Sequence, residues 1–278
     1  MTISRPVTVE GVGLQTGQKA AVTMKGSPAD SGINFIRTDL PDKPLTSLSS
    51  FDLGGLFKGR RTTVGLKGAE VQTIEHLMAC LSALSIDNIV IELSASEMPG
   101  LDGSAKCFYD ALKQAGPKEQ DKERKELVVK TPEWYQEGDC VLAAFPGNEL
   151  RLSCLISYPD ASIGTQFLSL ALNEENFEKE IAPARTFCLE KEALALLKQG
   201  FGKGANYENT LVMGRDGPVG NALRFPDEPV RHKMLDLIGD LYLLGHGLKA
   251  HVVAIKGGHR QNMELVKKLK ETLLSPGA

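Results

Sequence analysis

The stretch "VRHKMLDLIGDLYLLG", residues 230–245, sets His232, Lys233, Asp236 and Asp240 among apolar side chains. On a helix, residues four apart share a face, so His232, Asp236 and Asp240 form one polar row. Met234, Leu235, Leu237, Ile238, Leu241 and Leu244 occupy most of the remaining circumference. A helix that is apolar nearly all round is buried. A buried polar row must then be paired or must bind something.

The rest of the chain supplies the cover for that helix. In the first third, "PVTVEGVGL", "KAAVTMKG" and "INFIRTDL" alternate apolar and polar residues between glycine-rich turns and read as strands. "TIEHLMACLSAL" carries Ile74, Leu77, Met78, Leu81 and Leu84 at helical spacing, which predicts an amphipathic helix with one buried stripe. "DNIVIEL" is a further strand. "SAKCFYDALKQAG" is a second helix, with Ser104 as its N-cap and Gly116 at its end. "PKEQDKERKE", residues 117–126, is charged and nearly free of apolar residues, and reads as a solvated linker at a domain boundary.

The second half repeats the order of events without repeating residues. "ELVVKTP", "CVLAAFP" and "LRLSCLISY" are strand-like, "LEKEALALLKQG" and the opening stretch are helical, and "HVVAIKGGH" and "NMELVKKLKETLL" are a last strand and helix. The expected fold class is α+β: two similar domains, 1–117 and 127–278, each a β-sheet with a helix layer. If the helices of the two domains pack face to face, the sheets lie outside them and a cleft runs between the domains.

Composition narrows the function. The 278 residues are 42% hydrophobic and 24% charged, as in an ordinary globular protein with a sizeable core. Basic residues number 32 and acidic ones 35, a net charge of -3, which gives no reason to expect nucleic acid or an anionic membrane as the main partner. Five cysteines, an odd count with no C-x-x-C pair, argue against a disulfide framework or a thiolate zinc cluster and for a reducing compartment. The N-terminus lacks a basic region followed by an apolar run, so no secretory signal is expected. No segment offers the roughly 18 apolar residues of a membrane helix. The expected location is the cytoplasm.

Four short motifs carry chemistry. His232-x-x-x-Asp236 is a metal half-site, with both donors on one face a turn apart; taken alone the signal is weak, and the alternative is a surface ion pair. Glu75 and His76 in "TIEHL" lie in the first turn after Thr73, where a carboxylate is also favoured by the helix dipole alone. His259 in "KGGHRQN" follows two glycines that let the backbone turn sharply or approach a ligand, the alternative being a tight turn with an exposed imidazole and a solvated Lys256. Thr186 in "ARTFC" offers a hydroxyl where loop passes to helix, a position where threonine is more often a cap.

Together these motifs resemble the UDP-3-O-acyl-N-acetylglucosamine deacetylase family, the zinc amidases of the first committed step of lipid A synthesis. The resemblance runs through "GVGLQTG", "VQTIEHLMACLSALSIDNIVIE", "EMPGLDGSAKCFYDAL", "ARTF", "GKGANYENTLV", "LRFPDEPVRHKMLDLIGDLYLLG" and "KGGH", in the family's order and spacing. It implies two domains with the active site at their junction. It also implies Zn2+, with Fe2+ as a substitute, held by His76, His232 and Asp236, which leaves a fourth position open for water as catalytic zinc sites do. Glu75 then resembles the general base. His259 resembles the acid that protonates the leaving amine, with Asp240 orienting it. Thr186 is the expected oxyanion donor, and Lys233 faces substrate phosphate or oxyanion charge. Lys233, Lys256 and Phe187 are the expected substrate-binding residues, Phe187 at the mouth of a hydrophobic passage formed by residues 187–213. For that segment a plain core helix is the competing expectation. The implied substrate is a UDP-linked acylated amino sugar, and the chain is expected to be a monomer. Two departures stand out: Gln15 where the family commonly has His, and Ala205–Asn206 in the "GKGAN" turn. Two other functions share parts of the pattern. Non-haem Fe(II) oxygenases use two His and one carboxylate, usually on β-barrel strands. A nucleotide-sugar binding module could keep the fold without the chemistry.

Overall fold

A computed structural model describes residues 1–50, 61–160 and 162–274. Among these residues run six α-helices: α1 (Glu75–Ala83), α2 (Lys106–Ala115), α3 (Glu174–Asn176), α4 (Glu190–Lys198), α5 (Glu228–Leu241) and α6 (His259–Leu274). The quoted stretch is α5, and twelve of its residues are buried, its polar row included.

Two sheets flank the helices. The first has the strand order Val7–Val12, Lys19–Gly26, Ile89–Leu93, Ile33–Arg37, Leu45–Ser47. The second has the order Glu133–Glu137, Cys140–Pro146, Gly247–Ile255, Leu150–Ser157, Thr165–Ala171, with Glu126–Val128 also pairing with Gly247–Ile255. The central strand of each sheet is antiparallel to one neighbour and parallel to the other, with Val22 opposite Leu93 and Ile33 beside Ile89 in the first. In the second, Val141 is opposite Ile255 and Leu150 beside Ala250. Each half therefore builds the same topology: a hairpin, a second hairpin, a buried helix, and a last strand inserted between the two hairpins. Alternating burial along Ile89–Leu93 and Gly247–Ile255 turns one face of each sheet to the interior. The side chains of both halves form one buried apolar cluster.

At its centre α1 packs on α5. The approach is close enough that a Cβ added at Gly239 would stand 2.1 Å from the Glu75 carbonyl oxygen. Glycine is required there by contact between backbones rather than by conformation.

Four local expectations are corrected. The helix at "TIEHLMACLSAL" is not half-exposed: Glu75 to Leu81 are all buried, because α5 covers the face that the pattern left for water. Helix α2 begins at Lys106 rather than at Ser104, whose amide and hydroxyl are taken by the Asp102 carboxylate. The last helix starts at His259, three residues before "NMELVKKLKETLL". The charged segment 117–126 is largely exposed but is not a free tether. Pro117–Lys118 pairs with Thr2–Ile3, Gln120 bonds Asn88 and Ser27, and Arg124 reaches Asp87, Ser85 and Tyr242. Residues 275–278 of the expected second domain lie outside the described residues.

Candidate active site

Three elements bring the polar groups together. Helix α5 carries His232, Asp236 and Asp240, exposed by only 3%, 4% and 0%. Helix α1 opens with Glu75 and His76, both buried. Its entry is shaped by Thr73, whose φ of 60° is unusual for a β-branched residue. Two bonds hold it there: its amide donates to Thr62 O at 2.8 Å and its hydroxyl to the buried Glu97 carboxylate at 3.0 Å. Helix α6 opens with His259 directly after Gly257 and Gly258.

His76, His232 and Asp236 form a donor set whose ligand atoms lie within 4.8 Å of one another. The two imidazoles meet edge to face at 5.1 Å between centroids. Nδ1–H of His232 donates to Ala184 O at 3.0 Å, which leaves Nε2 as the bare nitrogen, 3.4 Å from Asp236 Oδ1. Burial, with neighbouring His232 and His259, holds His76 down to about 3. Burial likewise lowers His232, although Asp236 opposes it. Burial by itself would raise Asp236, but His232, His259 and Lys233 outweigh it and hold the carboxyl below its ordinary range. Two neutral imidazoles and an ionised carboxylate are the protonation states a divalent cation needs, so the residues present fit a metal.

Glu75, Asp236 and His259 also have donor atoms within 4.8 Å of one another. Their protonation argues against a second ligand set. Burial would lower His259, but Asp240 and Asp236 prevail and push it up to about 9. An imidazolium has no lone pair for a metal. Burial raises Glu75 to about 7, against the opposing charge of His259. A carboxylate poised near neutrality and an imidazolium 3.8 Å away form a proton acceptor and a proton donor side by side.

Asp240 anchors the donor. Its Oδ2 accepts Nδ1–H of His259 at 2.9 Å and the Asn262 amide at 2.8 Å, and its Oδ1 accepts the Thr62 hydroxyl. Lys233 lies 3.3 Å from Asp236 Oδ2; burial would lower its pKa, but Asp236 more than offsets that, so the ammonium stays charged.

The remaining expected residues divide. Phe187 packs edge to face with His232 at 6.5 Å and with Tyr158 at 5.8 Å, so it borders the donor set of His76, His232 and Asp236. Thr186 precedes it, its amide bonded to Gly103 O and its carbonyl to the Leu211 amide. Lys256 turns away: its ammonium pairs with Asp139 at 2.5 Å. The segment 187–213 is not a core helix. Helix α4 has no buried residue, and Leu194 and Leu197 are 71% and 51% exposed. It stands on a small sheet of Phe187–Leu189, Leu211–Gly214 and Gly217–Val219. Gln15 ties the early loop to this insertion, its Oε1 accepting the Gly202 amide at 2.9 Å.

Sequence reasoning missed several partners. Asn262 was legible, since it lies one turn from His259, but only once the helix is begun at His259. Thr62 in "RRTT" has no periodic or motif signal. The buried ion pair of Arg185 with Glu228, 2.9 Å apart, clamps "ARTF" to the start of α5 and thereby sets Ala184 O against His232. Nothing in the sequence pairs those two residues.

A family model described as UDP-3-O-acyl N-acetylglycosamine deacetylase matches residues 1–271. The UDP-3-O-acyl-N-acetylglucosamine deacetylase of Chlamydia abortus is 40% identical over 274 residues, covering 98% of this chain and 97% of that protein. The proteins of the same name from Chlamydia caviae and Chlamydia trachomatis serovar L2 are each 40% identical over 98% of this chain, covering 97% and 95% of their own lengths.

Proposed function

The chain belongs to the UDP-3-O-acyl-N-acetylglucosamine deacetylase family, and from that premise we propose how its own residues perform the reaction. It is a hydrolase that removes the N-acetyl group of UDP-3-O-acyl-N-acetylglucosamine and releases acetate, within lipid A biosynthesis. The family implies a catalytic metal. The observation that carries the residue assignment is the convergence of two neutral imidazoles and a carboxylate beside Glu75 and His259.

In this reading His76, His232 and Asp236 hold Zn2+, for which Fe2+ is a substitute. When bound, the cation supplies Lewis acidity to the amide carbonyl and acidifies water. Glu75 takes the proton of the attacking water. The carbonyl oxygen gains negative charge, and the Thr186 hydroxyl and the Lys233 ammonium donate to it. As the carbon–nitrogen bond breaks, Nε2–H of His259 gives its proton to the departing amine, and Asp240 keeps the ring oriented and charged. Phe187 and the insertion 187–213 receive the acyl chain, with exposed leucines of α4 as apolar surface available to it. Lys256 is retained as a substrate contact only if its bond to Asp139 exchanges for substrate. Residues 1–117 and 127–278 act as two domains, a division supported by their shared strand order. Among the described residues no helix is long and apolar enough to cross a membrane; we take the enzyme to be a cytoplasmic monomer. The oxygenase and binding-module alternatives lose to relatives that are named deacetylases over nearly the whole chain.

The direct test is acetate release from UDP-3-O-acyl-N-acetylglucosamine. Release should cease with a chelator and return on adding Zn2+. No release from metal-loaded protein would overturn the reading.

The charged pair gives a pH signature. His259 acts as an acid while protonated, so its contribution is present below about 9 and is lost as pH rises through that value. Its pKa is raised, so its contribution to stability is likewise full below the ordinary value near 6.5 and lost by about 9. Glu75 acts as a base when ionised, which places the acid limb near 7. Asp240→Asn keeps shape and removes charge. The alkaline limb should move to lower pH and the rate should fall. A limb unmoved in both Asp240→Asn and His259→Gln would assign it to another group.

A further inference from the structure

We propose that Thr62 is a positioning residue that locks the Asp240–His259 pair and ties it to Glu75. This rests on the proton-transfer roles proposed above for those residues.

Thr62 is 3% exposed and comes from a segment remote in sequence from α5 and α6. It is placed by a short ribbon in which Thr63 pairs with Gln72 and Val64 with Val71, and its own carbonyl accepts the Thr73 amide. That register leaves Thr62 facing the start of α1. Its backbone amide donates to Glu75 Oε2 at 3.1 Å. Its hydroxyl donates to Asp240 Oδ1 and lies 3.1 Å from Nδ1 of His259. One residue therefore touches both groups proposed to move protons and the carboxylate that orients one of them.

The hydrogen-bond inventory decides who donates. Nδ1–H of His259 is directed at Asp240 Oδ2, which also accepts the Asn262 amide. The Thr62 hydrogen is directed at Oδ1, which receives no other hydrogen bond among the described residues. The lone pairs of the hydroxyl oxygen then face Nδ1–H. Thr62 accordingly satisfies the far oxygen of a fully buried carboxylate and braces the imidazole from the same atom. A buried carboxylate missing one of its donors is free to rotate toward whatever donor remains. Rotation of Asp240 would carry the His259 ring with it, and Nε2 would leave its place 3.8 Å from Glu75 Oε1 and 3.7 Å from Asp236 Oδ2.

The test uses the metal-loaded enzyme. Thr62→Val keeps the β-branched shape and the backbone amide and removes only the hydroxyl. Its kcat should fall roughly ten- to a hundredfold, the range seen for outer partners of catalytic groups, with KM and metal content unchanged. Thr62→Ser restores the hydroxyl and should recover the rate to within about threefold of wild type, whereas a structural role for the methyl would leave Ser as slow as Val. On an Asp240→Asn background, Thr62→Val should cost less than about a further twofold, because the two act through one unit. The imidazole Nδ1–H proton resonance, identified by its loss in His259→Gln, should shift in Thr62→Val. Wild-type acetate release carries the deacetylase reading by itself. Thr62→Val at the wild-type rate, or losses that multiply in the double variant, would overturn the role of Thr62 and leave that reading standing. If wild type released no acetate, the reading of the site would fall, and an unshifted Nδ1–H resonance in Thr62→Val would separately overturn the bracing of His259.

Discussion

Alanine at His232 or at Asp236 is expected to yield a folded chain that no longer holds stoichiometric metal and has lost nearly all deacetylation. Each substitution removes one of three donors that lie within 4.8 Å of one another. A two-donor remnant cannot set the geometry that catalytic sites keep with three protein ligands. Lewis-acid stabilisation is worth several kcal/mol, and each 1.4 kcal/mol or so is tenfold in rate, so a loss of about a thousandfold or more is expected. The two variants should differ in one respect. His232→Ala also orphans Ala184 O, the acceptor of its ring N–H. Asp236→Ala instead leaves Lys233, whose side chain is 20% exposed, without its bonded carboxylate, and a half-buried ammonium so placed is destabilising. Asp236→Ala is therefore expected to melt lower than His232→Ala. Metal analysis, a thermal melt and acetate release measure all three effects. Full zinc content at normal rate in either variant would remove that residue from the metal site.

Glu75→Gln is expected to separate metal binding from proton transfer. The amide keeps an oxygen to accept the Thr62 backbone N–H and lies outside the set of three donors. Metal content should therefore hold. The amide cannot take a proton from water, and general acid–base catalysis is typically worth about a hundred- to ten-thousandfold. The rate should fall within that range with KM little changed, and the acid limb near 7 should disappear from the profile, since burial of this carboxyl is what sets it there. A variant at half the wild-type rate would make Glu75 a first-turn carboxylate serving the helix dipole and nothing more.

The residues by themselves made part of this site legible. The row His232, Asp236, Asp240 follows from the 3.6-residue period, and its burial follows from the apolar residues around it. The roles proposed for Glu75, His76 and His259 rest on resemblance: each motif read alone has a plainer explanation at least as good. Asn262 was hidden by starting α6 at residue 262. Thr62 was hidden because a hydroxyl in a short ribbon has no period to betray it.

Local sequence determined the inner strands, the main helices and which faces avoid water, because side-chain periodicity is a property of a few neighbouring residues; it left the edge strands Leu45–Ser47, Glu133–Glu137 and Thr165–Ala171 unread. It also determined the repeated order of elements that yields the same sheet topology twice. What it did not determine is what covers each face. Helix α1 read as half-exposed because the surface that buries its other side belongs to α5, more than a hundred residues away, held so close that Gly239 admits no Cβ. Helix α4 reads equally well as core or as passage wall, and its Leu194 and Leu197 are exposed because, among the described residues, no second layer lies over them. The tertiary structure alone decided that Thr62 joins Glu75, Asp240 and His259, whose meeting the resemblance implies, since hydrogen bonds between remote segments depend on ladder register and helix contact, which no local pattern encodes.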